Sequence, residues 1–149
     1  MTINTQEFLL SSEAELSGVV DWILPRLKPG NLIFLEGDLG AGKTTFARFF
    51  LKALGFLGAV KSPTFSLVEP YDLKASQGFS VFHYDLYRLP SNALEELELL
   101  GIRDQLAEKA VLLIEWPDRV ANFLKPNIKI LIEHLGDARR KIILTTFLE

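Results

Sequence analysis

The sequence has 149 residues, 48% of them hydrophobic, no cysteine and a formal net charge of −3. That length suits one domain around a single core, and the apolar content excludes a disordered chain. The missing cysteines exclude disulfides, thiolate metal centres and cysteine nucleophiles, while the acidic balance argues against independent nucleic-acid binding.

In chain order, MTINTQEFLL lacks the basic region and apolar core of a secretion signal, and no apolar run is long enough for a membrane span, so a cytoplasmic location is expected. Residues 6–10 predict a short strand. Ser11 or Ser12 is placed to cap a helix whose apolar positions Leu16, Val19, Val20, Ile23 and Leu27 keep helical spacing, with Pro25 kinking or ending it. Pro29-Gly30 then turns the chain into the apolar run Leu32-Ile33-Phe34-Leu35, and a helix is expected from Thr45 to Leu54, closed by Gly55. A loop over 56–63 leads to strand candidates at 65–71 and 79–84. Asn92 with Glu95 resembles a capping box, opening a helix that Gly101 closes; a second short helix (103–109) leads to a buried strand (110–116) that Pro117 stops. Residues 128–134 and 140–147 alternate as a hairpin around Gly136-Asp137. Helices between apolar strands predict an α/β fold, parallel at the centre, with antiparallel edges and helices on both faces.

Between the strand at 32–35 and its helix stands Gly37-x-x-x-x-Gly42-Lys43-Thr44, the spacing of a phosphate-binding loop (P-loop). Backbone N–H groups from Leu39 through Gly40, Ala41, Gly42, Lys43 and Thr44, and on to Thr45 in the first helical turn, can cradle phosphate, helped by the positive end of the helix dipole. Lys43 is expected to reach the β- and γ-phosphates, and the Thr44 hydroxyl to bind Mg²⁺. A nucleotide triphosphate is the expected ligand.

Such sites commonly take an acid from the end of a neighbouring strand. Here Glu115 follows Val111-Leu112-Leu113-Ile114 and Asp85 follows Phe79 to Tyr84, although solvated carboxylates at strand ends are common. In Ser62-Pro63-Thr64-Phe65 the proline restricts its neighbourhood, so Thr64 could be held as a γ-phosphate-sensing switch; a plain turn leading to a strand is the alternative. Two histidines are too few for a zinc site, and His83 reads as a core histidine. Arg88 is a phosphate partner or a surface ion pair, Trp116 is core or close to the site, and Arg139-Arg140-Lys141 reads as a solvated hairpin.

Together GDLGAGKTT (37–45), VKSPTFSLVEPY (60–71), HYDLYRL (83–89), ELELLGIRD (96–104) and LLIEWPDR (112–119) resemble the TsaE (formerly YjeE) family of bacterial tRNA-modification ATPases. The resemblance implies an ATP hydrolase that is slow alone and acts with TsaB and TsaD in forming threonylcarbamoyladenosine next to the anticodon of tRNAs reading codons that start with A. The partners would hold the RNA. It further implies that Leu39 to Thr44 hold the phosphates, Thr44 and Glu115 hold Mg²⁺, and Asp85 and Thr64 occupy acidic and switch positions. Trp116 matches a nucleotide-sensitive tryptophan, and the start of the first helix, around Ser12, lies near the nucleotide in the family.

The runner-up is a small nucleoside or small-molecule kinase, which usually needs an arginine-rich lid that this short chain lacks. A GTPase is excluded by the absence of Asp-x-x-Gly after the switch threonine and of Asn-Lys-x-Asp. A binding module using ATP only as a conformational ligand differs in one observable, phosphate release.

Overall fold

The computed structural model describes residues 2–38, 40–90 and 93–148. Seven strands form one sheet in the order β1-β7-β6-β2-β5-β4-β3: β1 (Thr2–Leu10), β2 (Leu32–Glu36), β3 (Val68–Leu73), β4 (Phe79–Asp85), β5 (Val111–Glu115), β6 (Ile128–Gly136) and β7 (Arg139–Leu148). The central strands β6, β2, β5 and β4 are mutually parallel, whereas β1–β7, β6–β7 and β3–β4 pair antiparallel. The expected parallel centre with antiparallel edges is therefore the observed architecture.

The uninterrupted apolar runs in β2 and β5 follow from burial on both faces. On one face Ile33, Leu35, Val111 and Leu113 meet α1 (Leu16–Ile23) and α2 (Lys43–Ala53) through Val19, Val20, Ile23, Phe46 and Phe50. On the other, Phe34, Tyr84, Leu112 and Ile114 meet α4 (Leu94–Leu99) and α5 (Ile102–Ala107) through Leu97 and Ile102. No helix among the described residues is long and apolar enough to cross a membrane.

Several local expectations change. β1 begins at Thr2 rather than residue 6, because it pairs residue by residue with β7 and most of its side chains stay exposed, which erases any apolar alternation. Ser12 precedes a 3-10 turn (Glu13–Glu15) and its side chain makes no cap bond; α1 starts only at Leu16. Leu27 lies in extended backbone beyond a second 3-10 turn (Leu24–Arg26) that carries Pro25. The strand expected at 65–71 starts at Val68, because Leu67 takes a positive φ of 70° and its N–H closes a turn onto the Pro63 carbonyl at 2.8 Å. A four-residue helix, α3 (Lys74–Gln77), joins β3 to β4. The capping box expected at Asn92 lies outside the described residues.

Candidate functional site

β2, β4 and β5 run parallel and end on acids, Glu36, Asp85 and Glu115, with Asp85 directly opposite Glu115 in the strand register. Open α/β sheets bind ligands beyond the carboxyl ends of such strands. The Gly-rich loop connects β2 to α2 at that end, and two of its glycines have steric causes. A Cβ on Gly37 would stand 2.7 Å from the Ile132 carbonyl oxygen, and one on Gly42, at φ 107°, would stand 2.9 Å from Nε of Arg140. The first amides of α2 have no partner within the helix, so Lys43, Thr44 and Thr45 present N–H groups at its positive end. Gly40, Gly42, Thr44, Thr45, Thr64 and Arg140 line a cavity of about 350 Å³, with Lys43, Asp85, Glu115 and Trp116 completing its wall. Leu39 lies outside the described residues, and Ala41, buried within the loop, donates its N–H to the Asp38 carbonyl.

Lys43 is only 6% exposed. Its Nζ donates to the Gly37 carbonyl at 2.6 Å and stands 3.8 Å from the centre of the Trp116 ring. Burial pulls its pKa below the ordinary lysine value, opposed by the negative charges of Glu115, Asp85, Asp38 and Asp118. The ammonium is thus set among acids and carbonyls in a partly desolvated place, where its interactions are strengthened.

Glu115 is buried and its Oε2 lies 2.5 Å from Nε2 of His83. A carboxylate only accepts, so this contact puts a proton on Nε2. Asp85 accepts at Oδ1 from the Tyr87 N–H at 3.1 Å and at Oδ2 from the Thr64 hydroxyl at 3.4 Å. Thr64 also shares a 2.7 Å hydrogen bond with Ser62. The turn that Leu67 closes is tied to the same acid, since the Asp85 N–H donates to the Leu67 carbonyl at 3.0 Å. Among the described residues no three His, Asp or Glu side chains gather as a metal centre.

Trp116, in left-handed backbone at φ 58°, packs on Tyr87 with ring centres 4.8 Å apart. A second cavity of about 560 Å³ lies beyond the loop, lined by Asp38, Lys43, Trp116, Asp118, Glu133 and His134 among others. Trp116 is partly buried and does both: it packs against the core cluster of Tyr84, Leu112 and Ile114, and its ring faces the loop lysine.

The sheet therefore assembles Lys43, Thr44, Thr64, Asp85, Glu115 and Trp116 around one cavity. Ser12 stands two residues after Leu10, which pairs with Arg140 and so leaves the sheet at the loop end, but no described hydrogen bond joins Ser12 to the loop. Arg88 stacks its guanidinium 4.4 Å from the Phe65 ring centre instead of lining the cavity. Arg140 corrects the solvated-hairpin reading: its Nε donates to the Ala41 carbonyl at 2.8 Å. Only the period-2 row Arg140, Ile142, Leu144, with its last two members buried, points to this in the sequence.

These features define an α/β protein with a glycine-rich strand–loop–helix at the carboxyl end of a central parallel strand. The family model described as "Threonylcarbamoyl adenosine biosynthesis protein TsaE" matches residues 10–142, and the chain belongs to that family. It is 44% identical over 109 residues to the tRNA threonylcarbamoyladenosine biosynthesis protein TsaE of Haemophilus influenzae, covering 72% of this chain and 66% of that protein, just under two thirds of its length. The protein of the same description from Rickettsia conorii is 40% identical over 133 residues, covering 88% of this chain and 73% of that one. The crystal structure of Bacillus subtilis YdiB superposes with a TM-score of 0.75 at 27% identity, covering 98% of this chain and 88% of that one.

Proposed function

We propose that this chain is a cytoplasmic ATPase that binds Mg-ATP in the Gly37–Thr44 loop and acts with TsaB and TsaD in threonylcarbamoyladenosine formation on tRNA. The family assignment supplies the pathway. The observation that carries the chemistry is Lys43: a buried ammonium at the positive end of α2, beside a cavity walled by Asp85 and Glu115. A polyanion paired with a divalent cation balances those charges.

The donor set fits Mg²⁺. The Thr44 hydroxyl and the Glu115 carboxylate are hard oxygen donors, and Mg²⁺ on a nucleotide keeps several waters and needs only one or two protein carboxylates. When bound, the ion neutralises phosphate charge. Lys43 supplies charge-assisted hydrogen bonds to phosphate oxygens, and the amides of Lys43, Thr44 and Thr45 add the helix-end donors. His83 holds Glu115 in one orientation, while Tyr87 N–H and Thr64 hold Asp85 where it can orient an attacking water. Phosphoryl transfer depends on such positioning and on charge compensation. The cavity is open to solvent, so partner docking would exclude water and raise the rate, with tRNA held mainly by the partners.

The test is calorimetric titration of Mg-ATP into the wild type and Lys43→Ala, with phosphate release measured alone and with TsaB–TsaD. Loss of a charged hydrogen bond of roughly 1.5–3 kcal/mol lowers affinity about tenfold or more. Unchanged affinity in the folded variant refutes the loop assignment, and equal turnover with and without partners refutes partner activation.

A further inference from the structure

We infer that Arg140 binds the phosphate chain of the nucleotide from the hairpin side of the loop, as a second cation opposite Lys43. The inference rests on the proposal that the loop binds ATP. β7 explains how the residue gets there. Ile142, Leu144 and Thr146 form its buried row, pairing with Ile132, Ile130 and Ile128 of β6. Arg140 is the next member of that row, beyond the last core layer, and its side chain therefore lies over the same face as α2. There it crosses 99 residues of sequence to donate from Nε to the Ala41 carbonyl at 2.8 Å, while Nη1 donates to Ala138 at 3.2 Å. A Cβ on Gly42 would stand 2.9 Å from the Arg140 Nε, so the guanidinium lies close against the loop backbone.

A tether alone does not require this residue type. One amide could reach a carbonyl, whereas a guanidinium carries five N–H donors, of which these bonds use two. Its charge sits near the positive end of α2, in a cavity that Lys43 also lines, where a cation is disfavoured unless an anion shares the space. The planar fork suits phosphate oxygens, and the cavity it lines also holds Thr44 and Thr64. Lys43 approaches from within the loop and Arg140 from the hairpin, so the phosphates would be gripped from two sides.

The test compares wild type, Arg140→Lys, Arg140→Gln and Arg140→Ala by calorimetric titration with Mg-ATP and Mg-ADP, alongside the nucleotide-free melting temperature of each. Arg140→Gln keeps a donor for the Ala41 carbonyl but carries no charge; Arg140→Lys keeps the charge. We expect affinity to fall at least about tenfold in Arg140→Ala and Arg140→Gln, the range of a lost charged hydrogen bond. Arg140→Lys should retain measurably more affinity than Arg140→Gln. Arg140→Gln binding as tightly as Arg140→Lys, or all variants matching the wild type, overturns the inference and leaves a structural tether. A wild type that binds neither nucleotide refutes the ATP-binding proposal itself, a different result from a wild type that binds and an alanine variant that binds equally.

Discussion

His83 on β4 and Glu115 at the end of β5 form a buried hydrogen-bonded pair, Nε2 to Oε2 at 2.5 Å, across adjacent parallel strands. The histidine read from sequence as a core residue is therefore the orienting partner of the candidate Mg²⁺ acid. Partners of ligating carboxylates fix their direction and tune their affinity. His83→Leu leaves the Glu115 carboxylate buried without this donor, and losing a hydrogen bond to a charged group costs roughly 1.5–3 kcal/mol. Urea unfolding should show a lowered midpoint of that order. Unaltered stability would mean that Glu115 finds an equivalent partner.

Glu115→Gln should keep nucleotide binding and lose hydrolysis by at least about 100-fold, because it weakens the site of a metal ion worth several kcal/mol of transition-state charge stabilisation. Asp85→Asn instead disturbs the Thr64 and Tyr87 contacts and should weaken the turn that carries Thr64. Binding and single-turnover phosphate release separate the two. A dead but binding-competent Asp85→Asn with an active Glu115→Gln would reverse their roles.

Trp116 should report nucleotide through fluorescence, because its ring lies under the Lys43 ammonium at 3.8 Å. Moving or re-pairing that charge changes the field at the indole. Trp22→Phe removes the second tryptophan, which lies on α1 away from the cavity and stacks with Arg26 of the following 3-10 turn. An emission spectrum indifferent to saturating Mg-ATP would separate Trp116 from the ligand.

Two buried groups make opposite alkaline contributions to stability. Burial lowers the Lys43 pKa, so the unfolded chain holds more protons between that lowered value and the ordinary 10.5, and stability rises with pH there. Lys43→Met should raise the ligand-free melting temperature at neutral pH and remove this rise. Burial pushes the Tyr84 hydroxyl, which donates to the Gln105 side-chain carbonyl, up to about 12. That contribution is complete below the ordinary tyrosine value of 10 and lost as pH climbs through 12. Tyr84→Phe should abolish the loss and cost about 1–3 kcal/mol at neutral pH, because the Gln105 carbonyl is left unsatisfied. Melting curves of both variants from neutral to alkaline pH distinguish the two effects; parallel pH profiles for variants and wild type would contradict both.

The parts legible in the sequence were those with a local signature. The strand–loop–helix of residues 32–53, the acids ending β4 and β5, and the turn at Gly136-Asp137 all declare themselves through spacing and turn chemistry. The departures have non-local causes. β3 starts late because Leu67 is bonded both to Pro63 and to Asp85 on the neighbouring strand. β1 extends to Thr2 because β7 offers its whole length as a partner. Pro70 is tolerated within β3 because that strand is at the sheet's edge. The arginine row at the hairpin looked like a solvated turn, since nothing near residue 140 reveals that its partner carbonyl belongs to Ala41. His83 likewise shows no local trace of Glu115, 32 positions later.

The pairing of β1 with β7, with Thr2 opposite Leu148 and Leu10 opposite Arg140, has a consequence for the order of assembly. On the ribosome β1 must wait for β7, its one neighbour in the sheet among the described residues. β2 waits as well, since both strands that flank it, β5 and β6, lie downstream of residue 110. Long-range pairing of this kind slows folding, because chain closure precedes any gain from contact. The glycine-rich loop matures on the same schedule: Ile132 braces it at Gly37 and Arg140 closes over Gly42, so its final shape arrives only after β6 and the start of β7 have been made.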